Sequence, residues 1–280
     1  MMSIQVNKSR ELVLKQVEVY LIRLLIALIS IVLAGWASIA YADKNKGQAI
    51  AEEMKAREKG FGHYSVDMKM ELISASNKKT IRKLHVITRE VAADGDQFLA
   101  VFDSPADVKG TGFLTHTHIN KDDYQWLYLP SLKRVKRISP RNKKSPFMGS
   151  EFSYEDLTSY EVGNYTYKYV GDEKLDMVDC YILDRFPTNA NSGYQRQRVW
   201  IEKERYLALK IYYYNKKAIK IKTLEAGKFK KHLSKFWFAH EMKMQNHQSG
   251  KVSVLYWQNF KFNAPLHAAA FDPNSLRRIR

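Results

Sequence analysis

Two histidines separated by one residue are the first candidates for chemistry in this sequence. In the stretch THTH, His116 and His118 lie at i and i+2, so a strand would place both imidazoles on one face. Asp122 and Asp123 follow in the next turn, and two imidazoles with a carboxylate are ligands that zinc accepts. Without a firm third ligand the pattern is weak, and a solvated strand face is the favoured interpretation. We therefore predict no metal site.

The single cysteine, Cys180, offers no better starting point for catalysis. One cysteine cannot form an internal disulfide, and no histidine near it in the sequence would activate a thiolate. A buried, inert thiol is the simpler interpretation. The chain also lacks the GxSxG, P-loop, HExxH and GxGxxG motifs. These observations predict a protein that is not an enzyme and that uses no cofactor and no catalytic residue.

A dense run of bases is the strongest local signal of charge. Seven of them fall between positions 133 and 144: Lys133, Arg134, Lys136, Arg137, Arg141, Lys143 and Lys144. The first four do not alternate cleanly, so they would project to both sides of an edge strand that charge protects from pairing. A site for phospholipid headgroups or for an acidic partner would have the same composition. Both interpretations stay open, and Lys133, Arg134, Lys136 and Arg137 are the candidate docking residues.

The elements that would position these residues are mostly strands. Residues 45–58 carry a narrow apolar stripe typical of one surface helix, which Gly60 and Gly62 should end. Beyond them the hydrophobic period is two, and polar turns follow at short intervals up to the last strands, expected at 236–245 and 251–262. No long helical pattern intervenes, so the strands should be antiparallel. We predict a mainly β fold: one large curved antiparallel sheet, or incomplete β-barrel, of about 11–12 strands with short helices against it.

One face of this sheet is rich in methionine. Met68, Met70, Met242 and Met244 share strand faces with Val66, Tyr64, Phe236 and Phe238. Methionine is flexible and is favoured on surfaces that accept varied apolar ligands. A solid core would also have this composition, so the residues alone leave core and cavity open.

The N-terminal 42 residues read as a secretory signal peptide. An uncharged apolar run, residues 24–36, is followed by small residues at the −3 and −1 positions of a cleavage site after Ala42. The basic residues that precede the run are Lys8, Arg10, Lys15 and Arg23. An uncleaved membrane anchor is the alternative, but the run is short for a span of about 20 residues. We predict a signal peptide at 1–42 and a single, exported domain at 43–280.

The charge balance restricts the class of partner. The whole chain carries a net charge of +17, and removal of residues 1–42 takes away four bases and two acids, which leaves +15. A strongly basic balance often indicates nucleic-acid binding, but an exported protein rarely meets nucleic acid. Anionic membrane surfaces, lipid headgroups or an acidic partner are therefore the expected counterparts.

Three long segments carry a family resemblance. The segments VFDSPADVKGTGFL (101–114), DDYQWLYLPSLKRVKRIS (122–139) and SPFMGSEFSYEDL (145–157) resemble, in order, spacing and identity, the signature of the bacterial outer membrane lipoprotein-sorting proteins. That family is similar to the Lol-type (LolA/LolB-like) periplasmic carriers. The resemblance extends more loosely over residues 45–280, and three segments in order are a specific signal.

The resemblance implies a LolA-like half-barrel wrapped around an apolar cavity and covered by short lid helices. It also implies a periplasmic carrier or chaperone that binds the acyl chains of lipoproteins or of another lipid, together with an inner-membrane exporter of the resistance-nodulation-division (RND) type. The expected cavity lining is Val66, Met68, Met70, Trp126, Tyr128, Phe236, Phe238, Met242 and Met244. The alternative is an accessory subunit that docks on the exporter, carries no lipid and has a solid interior.

The segment 145–157 could serve as a gate for such a cavity. Ser153 and Asp156 fit a helix-capping pattern, and Gly149 before them permits a sharp bend. Phe147 and Met148 would then lie at the tip of a hinged connection. Whether this apolar tip packs in the core or covers the cavity mouth stays open, and we treat Phe147, Met148 and Gly149 as the candidate gate.

Overall fold

A computed structural model describes residues 43–278 of the chain. The predicted signal peptide at 1–42 lies outside these residues. From Lys46 onward the chain forms one compact unit. Within the described part, no helix is long and apolar enough to cross a membrane.

One α-helix and fifteen strands make up the regular structure of the described residues. Helix α1 covers residues 43–58. The strands are β1 His63–Ile73, β2 Lys79–Arg89, β3 Gln97–Ser104, β4 Gly112–His116, β5 Tyr124–Leu129, β6 Arg134–Ile138, β7 Tyr165–Leu175, β8 Val178–Pro187, β9 Arg196–Glu202, β10 Ala208–Tyr214, β11 Lys220–Gly227, β12 Lys230–His232, β13 Phe236–Phe238, β14 Glu241–Asn246 and β15 Val252–Phe262. Short 3₁₀ turns lie between β5 and β7 and after β15.

Thirteen of the strands form one antiparallel sheet in the order β6-β5-β4-β3-β2-β1-β15-β14-β11-β10-β9-β8-β7. The sheet does not close, because β6 and β7 each pair on one side alone. These two edge strands are neighbours in the chain, and the connection 139–164 joins them. The predicted fold class, a large open antiparallel sheet with few short helices, is confirmed.

The structure departs from the predicted elements between β11 and β15. Residues 236–245 were expected to form one strand, but the chain breaks at Ala239 and His240 into β13 and β14. Strands β12 and β13 pair only with each other, as a separate two-stranded sheet in which His232 lies opposite Phe236. This hairpin is an insertion between two neighbouring strands of the main sheet, and a period-two pattern that runs through it does not reveal the break.

The two faces of the sheet carry separate apolar clusters. The inner face holds the larger one, which includes the fully buried Met68, Met70 and Phe113. The outer face of β3 and β4 is covered by the C-terminal segment, where Phe271 and Leu276 pack on Leu99 and Leu114. Both faces of these strands are therefore dry, which explains the continuous apolar run of β3.

Helix α1 and the connection 139–164 fill the concave side of the sheet. Ile50, Ala51 and Met54 of the helix belong to the inner cluster. A Cβ atom placed on Gly47 would lie 2.8 Å from the Tyr169 backbone nitrogen, so glycine allows the helix to approach strand β7 closely. The connection is anchored by hydrogen bonds, for example from the Gln125 Nε2 amide of β5 to the Tyr154 carbonyl at 2.8 Å.

Candidate functional site

A cavity of about 620 Å³ opens between the C-terminal half of α1 and one end of the sheet. Its wall is formed by the helix from Met54 onward, by residues 156–160 of the connection, by the β9–β10 turn and by the β12–β13 hairpin. The volume is within the range of roughly 300–1,000 Å³ that is usual for sites of small molecules.

Aromatic rings form most of the apolar wall. The Phe61 ring centroid lies 5.3 Å from that of Tyr64 and 6.0 Å from that of Phe238. Tyr64 in turn contacts Phe238 at 5.3 Å, edge to face. Leu255 and Trp257 of β15 also line the wall. These side chains are brought together because β1, β15 and the hairpin converge at this end of the sheet.

A charged cluster occupies one side of the cavity. Lys55 Nζ lies 3.0 Å from Glu161 Oε1, and both side chains are buried. Ser159 Oγ donates a second hydrogen bond to the same carboxylate oxygen at 3.0 Å. Burial lowers the pKa of Lys55, but Glu58, Glu161 and Asp96 outweigh it, so the net shift is upward. The lysine is therefore charged and holds α1 against the connection.

Two further carboxyl groups of this cluster face the cavity. Glu58 and Asp96 both line it; desolvation raises the pKa of the half-buried Asp96 to about 6 and shifts the pKa of the more exposed Glu58 in the same direction. Lys55 opposes both shifts. Burial also raises the pKa of Tyr64 to about 12, so this phenol is neutral. The cavity thus joins an apolar wall to a small polar end whose charge changes near neutral pH.

Basic side chains surround the cavity on its outer side. The Arg57 guanidinium lies 4.3 Å from the Tyr206 ring centroid, and that of Arg205 lies 4.7 Å from Trp237. Lys235 Nζ is 4.8 Å from the Phe236 ring. These cation–π contacts place positive charge directly beside the aromatic wall.

The predicted lining residues fall into three groups. Phe236, Phe238 and Met242 line the cavity. Four others lie fully inside the inner core and do not reach it: Val66, Met68, Met70 and Met244. Trp126 and Tyr128 lie on the opposite face of the sheet, packed against the C-terminal segment, so their expected place in the lining was wrong. Alternation along β5 was predicted correctly, but the face that points inward was not.

The candidate gate lies within the connection. Phe147 is 1% exposed, and its ring lies 5.0 Å from Phe113 and 5.7 Å from Tyr154. Met148 is half-buried, and its carbonyl accepts a hydrogen bond from Arg82 Nη1. Met148 and Gly149 both have left-handed backbone, with φ of 47° and 76°. None of the three gate residues lines the cavity, so a gating role would have to act through residues 152–160 of the same connection.

The predicted cap of the following turn is present. The Ser153 backbone N–H donates to Asp156 Oδ2 at 2.7 Å. The Tyr194 hydroxyl donates to the same carboxylate at 3.0 Å, and Lys222 Nζ lies 3.7 Å away. The Glu151 backbone N–H also donates to Ser253 Oγ of β15 at 2.9 Å, so the connection is bound to the sheet directly after Gly149.

The candidate docking residues are all exposed. Lys133 ends a 3₁₀ turn in the left-handed conformation, and Arg134, Lys136 and Arg137 lie on the edge strand β6. None of these four forms an ion pair with a carboxylate among residues 43–278. The β6 edge therefore presents an unneutralised basic stripe.

The histidine pair makes hydrogen-bond contacts within the fold, and the cysteine is buried in it. His116 Nε2 is 2.9 Å from the Phe271 carbonyl oxygen, while His118 Nδ1 is 2.5 Å from Asp94 Oδ2, so the two rings serve different contacts. Across the described residues no three acidic, histidine or cysteine side chains are placed to hold a metal ion. Cys180 is fully buried, and desolvation raises the pKa of its thiol, which makes it a poor nucleophile.

Comparison with known proteins decides the family. A crystal structure described as an outer membrane lipoprotein-sorting protein domain from Vibrio parahaemolyticus is 46% identical to this chain, covers 84% of it over 100% of its own length, and has a TM-score of 0.82. The chain belongs to the outer membrane lipoprotein-sorting protein family. A protein-family profile described as "Uncharacterized protein" matches residues 94–278. No curated protein sequence matches.

Two other structures extend this family assignment. A DUF1329 family protein from Desulfovibrio piger is 30% identical, covers 84% of this chain and 99% of its own, and has a TM-score of 0.78. A LolA superfamily protein from Nitrosomonas europaea is 18% identical over 80% of this chain and 96% of its own, with a TM-score of 0.65. The last one shows a shared fold, so this chain has the LolA-like open sheet predicted from its sequence.

Proposed function

We propose that this lipoprotein-sorting family member is a periplasmic carrier that binds acyl chains in the cavity between α1 and the β12–β13 hairpin. The observation that carries the proposal is the aromatic wall of Phe61, Tyr64, Phe238 and Trp257 around a volume of about 620 Å³. Lipoproteins or other lipids of the envelope would supply the acyl chain. The neighbour named for lipoprotein sorting supports the lipoprotein class of cargo.

Elementary energetics support a cavity of this kind. Each methylene taken from water into an apolar site contributes about 0.8 kcal/mol, so a chain of ~16 carbons gains on the order of 10 kcal/mol before the costs of binding. A carrier must also release its cargo. Contacts with aromatic and methionine side chains are non-directional, so they stabilise the chain without a bond that must be broken in one step.

A fluorescent fatty acid and a cavity-filling variant test the proposal. Ala226 lines the cavity and lies opposite Met242 in the β11–β14 pair. Ala226→Phe should occupy the volume that the acyl chain needs and lower probe affinity about tenfold or more. Met70→Leu, a volume-conserving change in the inner core, is the matched control and should leave affinity within about twofold.

Two outcomes would contradict a lipid carrier. The first outcome combines two negative results for the wild type. Protein purified from the exported fraction carries no lipid in native mass spectrometry, and the same protein after delipidation takes up no fluorescent fatty acid. The second is equal probe affinity in wild type and Ala226→Phe, since the probe would then bind elsewhere. Signal-peptide cleavage after Ala42 is checked in the same mass spectrum, because the mature chain should begin at Asp43.

We further propose that the basic stripe on β6 docks the carrier on an acidic surface of an inner-membrane RND-type exporter. The stripe is exposed and lacks carboxylate partners in the described part of the chain, which favours an external partner. Charge reversal of Lys133, Arg134, Lys136 and Arg137 should abolish co-purification with the exporter and leave fatty-acid uptake unchanged. Unimpaired co-purification would contradict this docking role.

A further inference from the structure

The β12–β13 hairpin exposes a leucine where folding does not require one. Three residues, Leu233 to Lys235, connect the paired His232 and Phe236, and Leu233 and Ser234 both have left-handed backbone, with φ of 49° and 54°. Turns of this kind favour Asn-Gly, because a branched side chain is strained at positive φ. Leu233 is nevertheless 51% exposed. A leucine that is strained and exposed to water does not stabilise the fold, so we look for its role in contact with another molecule.

Lysines surround this leucine. Lys230, Lys231 and Lys235 are exposed, and no carboxylate of residues 43–278 lies within ion-pair distance of them. Lys235 Nζ donates to the Lys59 carbonyl at 3.4 Å, a contact that leaves its charge in place. Lys228 alone is neutralised, by Glu241 at 2.5 Å. The tip of the hairpin thus combines one apolar side chain with three free positive charges.

The other end of the hairpin forms part of the cavity wall. Phe236, Trp237 and Phe238 all line the cavity, and Trp237 is only half-buried. Tryptophan beside lysine is the composition that proteins place at the boundary between headgroups and acyl chains. One short hairpin therefore joins an apolar, basic tip to the mouth of an apolar cavity.

We propose that the hairpin 228–240 docks on the surface of an anionic phospholipid bilayer. Leu233 enters the acyl boundary, and Lys230, Lys231 and Lys235 bind headgroup phosphates. Three cations beside one apolar anchor match an anionic bilayer, because electrostatic attraction and a small buried area act together there. Docking in this orientation places the cavity mouth against the membrane. Lys231 and Lys235 also line the cavity but Leu233 does not, so vesicle binding by Leu233 variants tests the docking surface apart from the proposed cargo.

A second hairpin of the same composition provides the matched control. The β10–β11 turn exposes Ile219 at 52%, with Lys216, Lys217 and Lys220 exposed around it. These residues do not line the cavity. If net charge and scattered apolar tips alone caused membrane binding, changes at this turn would have the same effect as changes at the β12–β13 tip.

Vesicle sedimentation of the mature protein separates the two tips. With vesicles of phosphatidylglycerol and phosphatidylcholine, Leu233→Ser should weaken binding about tenfold, and Ile219→Ser should change it by less than about twofold. Reversal of Lys230, Lys231 and Lys235 to Glu should abolish the dependence on phosphatidylglycerol, whereas reversal of the three control lysines should retain it. Vesicles of phosphatidylcholine alone should bind weakly throughout.

A single-site label reports insertion directly. Because Cys180 is fully buried, an environment-sensitive thiol dye attached to Leu233→Cys would label one site. Its emission should shift to the blue on anionic vesicles, and that of Ile219→Cys should not. Three outcomes would overturn the proposal: equal losses of vesicle binding for both lysine triples, an unshifted emission of the label at position 233, or no vesicle binding by the wild type. If reversal of Lys230, Lys231 and Lys235 left vesicle binding intact but abolished binding to membrane proteins, the tip would be assigned to an acidic protein partner instead.

Discussion

Lys55 Nζ of α1 lies 3.0 Å from Glu161 Oε1 in the connection, and only 9% and 4% of the two side chains are exposed. The pair joins two segments that are far apart in the sequence, and it does so at the wall of the cavity. Its environment is not symmetric, because Glu58 and Asp96 act on Lys55 in addition to Glu161.

This asymmetry predicts unequal costs for the two partners. Glu161→Gln leaves Lys55 with two carboxylates nearby, whereas Lys55→Met leaves three carboxyl groups without their base. Loss of one partner from a buried pair typically costs about 3–5 kcal/mol, and we expect Lys55→Met at the upper end and Glu161→Gln below it. Urea unfolding measures both. A larger loss for Glu161→Gln would contradict this account of the cluster.

The carboxyl groups at the cavity predict how stability depends on pH. The pKa of the half-buried Asp96 rises from 3.8 to about 6 on folding, and the pKa of the more exposed Glu58 shifts in the same direction. The folded state therefore binds these protons more tightly than the unfolded chain, so their contribution is fully present below about pH 4 and is lost as the pH rises through about 6. The melting temperature should fall over that window.

Neutral variants test this pH dependence. Asp96→Asn should flatten the fall in melting temperature, with a higher value than wild type above about pH 7 and little difference below about pH 4, and Glu58→Gln, at the more exposed position, should have a smaller effect in the same direction. Glu52→Gln, an exposed acid of α1 that does not line the cavity, is the control and should keep the wild-type slope. Parallel curves for all the variants would mean that the two carboxyl groups do not cause the effect.

Gly47 predicts a substitution in which packing outweighs helix propensity. Alanine is favoured over glycine within a helix by about 1 kcal/mol, but a Cβ at Gly47 would meet the Tyr169 nitrogen at 2.8 Å and the Leu183 side chain at 3.0 Å. We expect Gly47→Ala to destabilise the protein, as overpacking usually costs about 1–3 kcal/mol. Ala49→Gly, at an exposed position of the same helix, should cost only the propensity difference. A Gly47→Ala protein that is more stable than wild type would refute the close approach of α1 to β7.

The period of two in the sequence was sufficient to predict the sheet, because alternation is a local property of each strand. The inward face was harder to assign. Trp126 and Tyr128 alternate correctly, yet they point outward, since the C-terminal segment covers the outer face of the strands around them. No local pattern reveals that a distant segment buries the second face. The methionines of β1 are buried as expected, but in the core.

The polar end of the cavity could not be predicted for a related reason. Lys55, Glu58, Asp96 and Glu161 belong to a helix, a turn and the connection, and only the folded chain brings them together. The hairpin at 228–240 was hidden because its second strand continues the alternation of β14. Sequence patterns thus predicted the scaffold, whereas the hairpin that walls the cavity arises where a strand breaks although the alternating pattern continues.

Phe147 and Met148 give the last prediction, and the structure separates their roles. Phe147 packs on Phe102, Phe113 and Tyr154, so Phe147→Ala should cost about 3–5 kcal/mol through loss of burial and an unfilled cavity. A change in lipid uptake by that variant would therefore be confounded with lost stability. Met148 is half-buried in a left-handed conformation, and Met148→Ala should cost clearly less.

Met148→Ala is thus the variant that distinguishes a gate from ordinary packing. If residues 147–149 control access to the cavity, this variant should change the rate of fatty-acid uptake or release by about tenfold or more while its melting temperature stays close to that of wild type. Stopped-flow fluorescence and thermal unfolding of the same preparation measure the two quantities. Uptake and release rates that match wild type would assign the whole tip to the core, because Met148 is the one apolar side chain there that retains some exposure.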